Sequence, residues 1–125
     1  MERDLRTALQ RAIEAGDQVL TAEVMPPRGA DPSHMLAMAA SLQGRVHAVN
    51  VTDGSRAVMR MSSLASCKLL LEAGLEPVLQ MACRDRNRIA LQADLLGAHA
   101  LGIRNLLCLT GDPVRAGDQA DARPV

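Results

Sequence analysis

Four glycines, Gly16, Gly44, Gly74 and Gly102, recur 28, 30 and 28 residues apart, and each opens an extended apolar run. The runs are Gly16-Asp-Gln-Val-Leu-Thr-Ala-Glu, Gly44-Arg-Val-His-Ala-Val-Asn-Val-Thr, Gly74-Leu-Glu-Pro-Val-Leu-Gln and Gly102-Ile-Arg-Asn-Leu-Leu-Cys-Leu-Thr. A period of this length accommodates one helix, one strand and two short loops. Each glycine stands where a helix needs a left-handed residue to stop.

Helical periodicity fills the intervals. Asp31-Pro32 supplies a capping carboxylate followed by proline at the first helical position, and Met35, Met38 and Leu42 then share a face. Val58, Met61, Ala65 and Leu69 form the next stripe; Ile89, Ala93, Leu96 and Ala100 form the third. An opening helix, with Leu5, Leu9 and Ala12 inward, precedes the first strand. Strands alternating with helices imply a parallel sheet with right-handed crossovers, an α/β protein. A doubly wound sheet and a (βα)8 barrel both satisfy that order. Met25-Pro-Pro-Arg-Gly29 lacks the glycine pattern of a dinucleotide-binding first turn, which favours the barrel. The expected organisation is one truncated (βα) barrel domain: an N-terminal helix over 1–16, four βα repeats over 17–110, and a loop or tail over 111–125.

Fourteen basic and fourteen acidic side chains cancel, so no strong field draws the chain to nucleic acid or to an anionic membrane. No apolar run reaches the roughly 18 residues of a membrane span, and Met-Glu-Arg-Asp lacks the apolar stretch of a secretory signal, so a cytoplasmic location is expected. Phe, Tyr and Trp are absent; seven Met and many Leu must fill the core, and a planar ligand must stack on aliphatic groups. Cys67, Cys83 and Cys108 have no metal-knuckle spacing and are expected as free, buried thiols. His34, His47 and His99 stand singly, in surface or packing roles, and no metal site is expected.

In parallel βα folds, chemistry collects at the carboxyl ends of the strands. Those ends carry Glu23, Thr52 with Asp53, Gln80 with Arg84 and Asp85, and Thr110 with Asp112. Glu23, Thr52, Gln80 and Thr110 are 29, 28 and 30 residues apart, so four polar groups are expected to converge on one rim. Glu23 lies in an otherwise apolar strand, where desolvation would suit its carboxyl to general-acid work. The plainer alternative is a rim glutamate paired with an arginine. Thr110-Gly-Asp-Pro113 admits a close backbone approach to a ligand, or simply a strand-to-loop turn. The run Arg84-Asp-Arg-Asn-Arg88 is either an anion site or a solvated face, with Asp85 or Asn87 capping the helix that follows.

Taken together, Thr21-Ala-Glu-Val-Met-Pro-Pro-Arg-Gly29, Val49-Asn-Val-Thr-Asp-Gly54, Gln80-Met-Ala-Cys-Arg-Asp-Arg-Asn-Arg88 and Leu109-Thr-Gly-Asp-Pro113 resemble methylenetetrahydrofolate reductases, especially a bacterial and acetogen branch. The likeness runs from about residue 18 to the last residue. It implies a (βα)8 barrel holding FAD, which takes hydride from NAD(P)H and passes it to 5,10-methylenetetrahydrofolate to give 5-methyltetrahydrofolate, in one-carbon and methionine metabolism. By motif, Glu23 matches the family's catalytic glutamate, which meets the folate. Thr52 matches a threonine near flavin and nicotinamide. Asp112, with Thr110 and Gly111, matches the loop that meets the flavin ring and the folate. Gln80 stands where other branches carry a flavin-contacting histidine, Asp53 where some carry tyrosine, and Thr110 where some carry arginine.

A complete barrel takes about 250 residues and eight strands. The 125 residues here are therefore expected to form an N-terminal half-barrel, inactive by itself, that either lacks a C-terminal half or forms a homo-oligomer. A non-catalytic α/β ligand-binding module that self-associates is the competing expectation.

Overall fold

The computed structural model describes residues 4–125. The elements run α1 (Ala8–Ala15), β1 (Thr21–Val24), α2 (Ser33–Ala40), β2 (Ala48–Val51), α3 (Ser63–Glu72), β3 (Pro77–Ala82), α4 (Arg88–Leu101) and β4 (Asn105–Leu109). The four strands form one sheet in the order β1-β2-β3-β4, every neighbour parallel. With helices linking successive strands, this is the α/β architecture of a partial (βα)8 barrel. All four repeat glycines have positive φ, and Gly16 and Gly102 close α1 and α4 in the left-handed conformation. The regular spacing of helix stops along the chain therefore has a backbone cause.

Register assigns each strand's two faces. Glu23 pairs with Asn50, Asn50 with Val78, and Val78 with Asn105, and paired residues in a parallel ladder share a face. The opposite face carries Val24, Val49, Val51, Leu79 and Met81, which join Met35, Ala39, Cys67 and Leu70 in the buried cluster. The core thus lies between sheet and helices. The concave face carries Glu23, Asn50, Val78, Gln80 and Asn105.

The helices present partly different faces from those the periodicity suggests. Leu5 lies before α1 and is exposed, while Ala12 is buried. On α2, Met35 and Ala39 face inward and Met38 points outward; Leu42, in the turn beyond, still packs on the core. Val58 and Met61 precede α3, and its buried stripe is Ser63, Ser66, Cys67 and Leu70 in place of Ala65 and Leu69. Two serines fit that face because their hydroxyls donate to backbone carbonyls, Ser63 to Gln80 at 2.9 Å and Ser66 to Ser62 at 3.0 Å. Ile89, Ala93, Leu96 and Ala100 lie on the exposed side of α4, and Leu91 and Ala98 on the packed side. That helix is apolar on two faces, and the inward one is interrupted by Asp94. Of the methionines expected in the core, Met35 and Met81 are buried, whereas Met25, Met38 and Met59 are exposed.

Capping also differs in detail. Pro32 is the residue at the N-cap of α2, and the Asp31 carboxylate accepts from the Ser33 amide at 2.9 Å and from its hydroxyl. At the amino end of the sheet, the Glu76 carboxylate accepts from the Ala8 amide at 2.9 Å and from the Asn105 side chain at 2.9 Å, tying α1 to β4.

Cys67 is buried, but Cys83 and Cys108 are exposed, against the expectation of three buried thiols. The cause is position: Cys67 lies on the buried face of α3, Cys83 in the loop after β3, and Cys108 on the edge strand β4. Burial, aided by the Asp53 charge, pushes the Cys67 thiol up to about 12. Thiolate is the reactive form. With iodoacetamide at pH 8, mass spectrometry should find Cys83 and Cys108 alkylated in the native chain and Cys67 alkylated only after denaturation; rapid native labelling of Cys67 would contradict its placement.

Candidate functional site

Beyond the carboxyl ends of the strands lies an open cavity of about 310 Å3 lined by Glu23, Thr52, Asp53, Ser55, Gln80, Leu109, Thr110, Gly111 and Asp112. Its size is at the lower end of small-molecule sites, about 300–1,000 Å3. Every site residue expected from the sequence faces it. Ser55 joins them without a sequence signal.

The four rim residues are equivalent in the repeat but not level in the ladder. Glu23 is level with Asn50, and the β2–β3 register that ends at Val51↔Leu79 carries Thr52 alongside Gln80. The stagger explains the missed member of the inner face, Asn50, whose side-chain oxygen accepts from Gln80 Nε2 at 3.4 Å. Its one sequence signal was a polar residue two positions before Thr52 in an apolar strand.

Glu23 is exposed, which corrects the expected desolvation. β1 is an edge strand, and the concave face on which Glu23 sits has no opposing layer in this four-stranded sheet. Among the described residues Glu23 makes no ion pair, so the rim-arginine alternative finds no support in the geometry.

Thr52 is only 5% exposed, and its hydroxyl oxygen is buried with no hydrogen-bond partner. Its amide donates to the Val24 carbonyl at 3.3 Å, holding it at the end of β1. A buried hydroxyl left over at the wall of a cavity is available to a ligand, since such groups are otherwise nearly always paired. Gln80 is also buried.

Asp112 is held from two directions. Its carbonyl accepts from Arg84 Nη1 at 3.1 Å, and its carboxylate accepts from the Arg56 amide at 2.7 Å. Arg56 and Ala57 both have positive φ, so this carboxylate secures a turn that side-chain-bearing residues rarely adopt. Beside it, Gly111 has φ +92°, and a Cβ there would sit 3.0 Å from the Arg84 Cβ. The backbone at Thr110–Asp112 can take this path only with glycine.

The run 84–88 is solvated in part, with Asp85, Asn87 and Arg88 exposed, while its other two arginines turn inward. Arg84 is buried and bonded to Asp85, whose charge-assisted contact raises the arginine's pKa and lowers the aspartate's. Arg86 reaches back to Asp53. Asn87 is the cap of α4, accepting from the Ala90 amide at 2.9 Å.

His47 has a packing role, its Nδ1 accepting from the Leu20 amide at 3.1 Å. Among the described residues, no helix is long and apolar enough to cross a membrane. The family model described as methylenetetrahydrofolate reductase matches residues 8–125.

Proposed function

The chain belongs to the methylenetetrahydrofolate reductase family, and from that membership we propose that its cavity is the amino-terminal portion of a site where FAD passes hydride from NAD(P)H to 5,10-methylenetetrahydrofolate. An oxidoreductase function of this family follows from the match over residues 8–125. The cofactor, the donor, the folate chemistry and a place in one-carbon and methionine metabolism are the further steps proposed.

The observation that carries the reading is the unpartnered Thr52 hydroxyl beside the cavity. A flavin ring offers acceptors in its plane, which this hydroxyl and the Gln80 amide suit as donors. Gly111 leaves space for a flat group to approach the backbone, and Leu109 supplies aliphatic surface in a chain without aromatics. Asp53 lines the same wall. When bound, the flavin supplies the two-electron redox step that no side chain here performs.

Glu23 is the proton donor in this scheme. As the methylene bridge of the folate opens, the carbon–nitrogen bond to the side-chain nitrogen breaks and that departing nitrogen takes the proton from the Glu23 carboxyl, which the exposed position on β1 leaves open to a substrate. Asp112 holds the folate from the opposite side of the cavity. A carboxylate there also disfavours added negative charge on a neighbouring ring.

The test uses protein expressed from its complete reading frame. Flavin fluorescence should quench on mixing with FAD, and NAD(P)H with methylenetetrahydrofolate should then yield 5-methyltetrahydrofolate. Absence of FAD binding would refute the flavin reading; FAD binding without folate turnover would instead favour a ligand-binding module. The half-barrel expressed alone is proposed to be inactive.

A further inference from the structure

At the cavity wall, Asp53 joins a half-buried charge cluster whose other members, Arg86 and Asp94, the proposed chemistry does not use. The Asp53 side chain is 10% exposed and that of Arg86 14%. Arg86 Nη1 donates to Asp53 at 2.5 Å and to the Ala82 carbonyl at 2.9 Å, while its Nε donates to Asp94 of α4 at 2.9 Å. Asp53 in turn accepts from the Ala82 amide at 2.8 Å.

These contacts begin where backbone pairing between β2 and β3 stops, at Val51↔Leu79. One carboxylate therefore prolongs the junction beyond the ladder and holds the chain at Thr52–Asp53 against the end of β3. Arg86 also offsets the Asp53 charge, with a guanidinium that Asp53 shares with Asp94. Of the three cavity carboxylates, Glu23, Asp53 and Asp112, Asp53 alone has a cationic partner among the described residues.

We propose that Arg86 is a positioning residue: through Asp53 it fixes the wall bearing the Thr52 hydroxyl and offsets the Asp53 charge toward an anionic cofactor. The positioning half stands on the geometry, and the cofactor half rests on the flavin reading above. Without Arg86, Asp53 leaves a negative charge at the cavity, which repels a dinucleotide carrying a diphosphate. It also loses the guanidinium that aligns it with Ala82.

The test compares wild-type protein from the complete reading frame with Arg86→Gln, Arg86→Lys and the double variant Asp53→Asn/Arg86→Gln in that protein, each checked for folding by circular dichroism. Hydrogen exchange at the Ala82 amide reports positioning, and FAD titration by flavin fluorescence reports the charge. In Arg86→Gln, Ala82 exchange should accelerate about ten-fold or more and FAD affinity should fall about ten-fold. Arg86→Lys keeps the charge but loses the forked geometry, so exchange should accelerate while affinity falls by about three-fold or less. The double variant should recover affinity to within about three-fold of wild type, because position 53 no longer places a charge at the cavity and Asp94 is not among its lining residues. A role in stability alone would give no such recovery.

Wild-type exchange at Ala82 in Arg86→Gln would overturn the positioning role. Failure of the double variant to recover FAD affinity would overturn the charge role. A wild-type protein from the complete reading frame that ignores FAD while Ala82 exchange responds as expected would sink the flavin reading and leave the positioning role standing. Should Arg86→Gln not fold, Arg86→Lys decides the positioning role by the same exchange measurement.

Discussion

Glu23→Gln should leave FAD bound and still reducible by NAD(P)H, and should lower folate reduction by about 10²- to 10⁴-fold, the range associated with loss of a general acid. Glutamine keeps the shape and the hydrogen-bonding capacity of the side chain but cannot release a proton. Because Glu23 is exposed and makes no ion pair among the described residues, its replacement leaves no buried partner unsatisfied. The unfolding midpoint should therefore stay close to wild type. Stopped-flow absorbance separates the two half-reactions: flavin bleaching by NAD(P)H should proceed, and reoxidation by methylenetetrahydrofolate should stall. Reoxidation at the wild-type rate would remove Glu23 from the catalytic role.

Gly111→Ala should damage both the fold and the site. At φ +92° a side chain is strained whatever the space, a cost of about 1–2 kcal/mol for left-handed backbone. The added Cβ also meets the Arg84 Cβ at 3.0 Å and the Ala82 Cβ at 3.3 Å. Relief requires Arg84 to retreat, which releases the Asp112 carbonyl that it holds. We expect a loss of about 2–3 kcal/mol in urea unfolding, which is large against a typical domain stability of about 5–15 kcal/mol. FAD affinity should fall with it, because the loop from Thr110 to Asp112 forms one side of the cavity. Wild-type stability and affinity together would mean that this loop relaxes freely and that its geometry is not essential.

What could be read along the chain was whatever depends on local rules. The glycine period announced the stops of the helices, and the strand runs announced a parallel sheet, because both follow from the backbone preferences of a few neighbouring residues. The inward faces of the helices were harder. Ser63 and Ser66 read as surface residues until their carbonyl partners are known, and Ile89 with Leu96 reads as core until the other apolar face of α4 proves to be the packed one. Cys83 and Cys108 misled in the same way, since their exposure depends on where β3 ends and on β4 lying at the edge.

The site divides along the same line. That Glu23, Thr52, Asp53, Gln80, Thr110, Gly111 and Asp112 line one cavity was legible by offset and motif, because a repeated βα unit delivers the same offset to the same rim. Their environments were not. That Glu23 is open to solvent, that the Thr52 hydroxyl lacks a partner, and that Asp53 is bound by Arg86 are outcomes of contacts between residues far apart in the chain. Position within a repeat is a property of covalent order and short-range geometry, so the amino-acid sequence alone determined it. Burial, charge pairing and the two-residue stagger between Glu23 and Thr52 arise only when the strands lie side by side, and so the tertiary structure decided them.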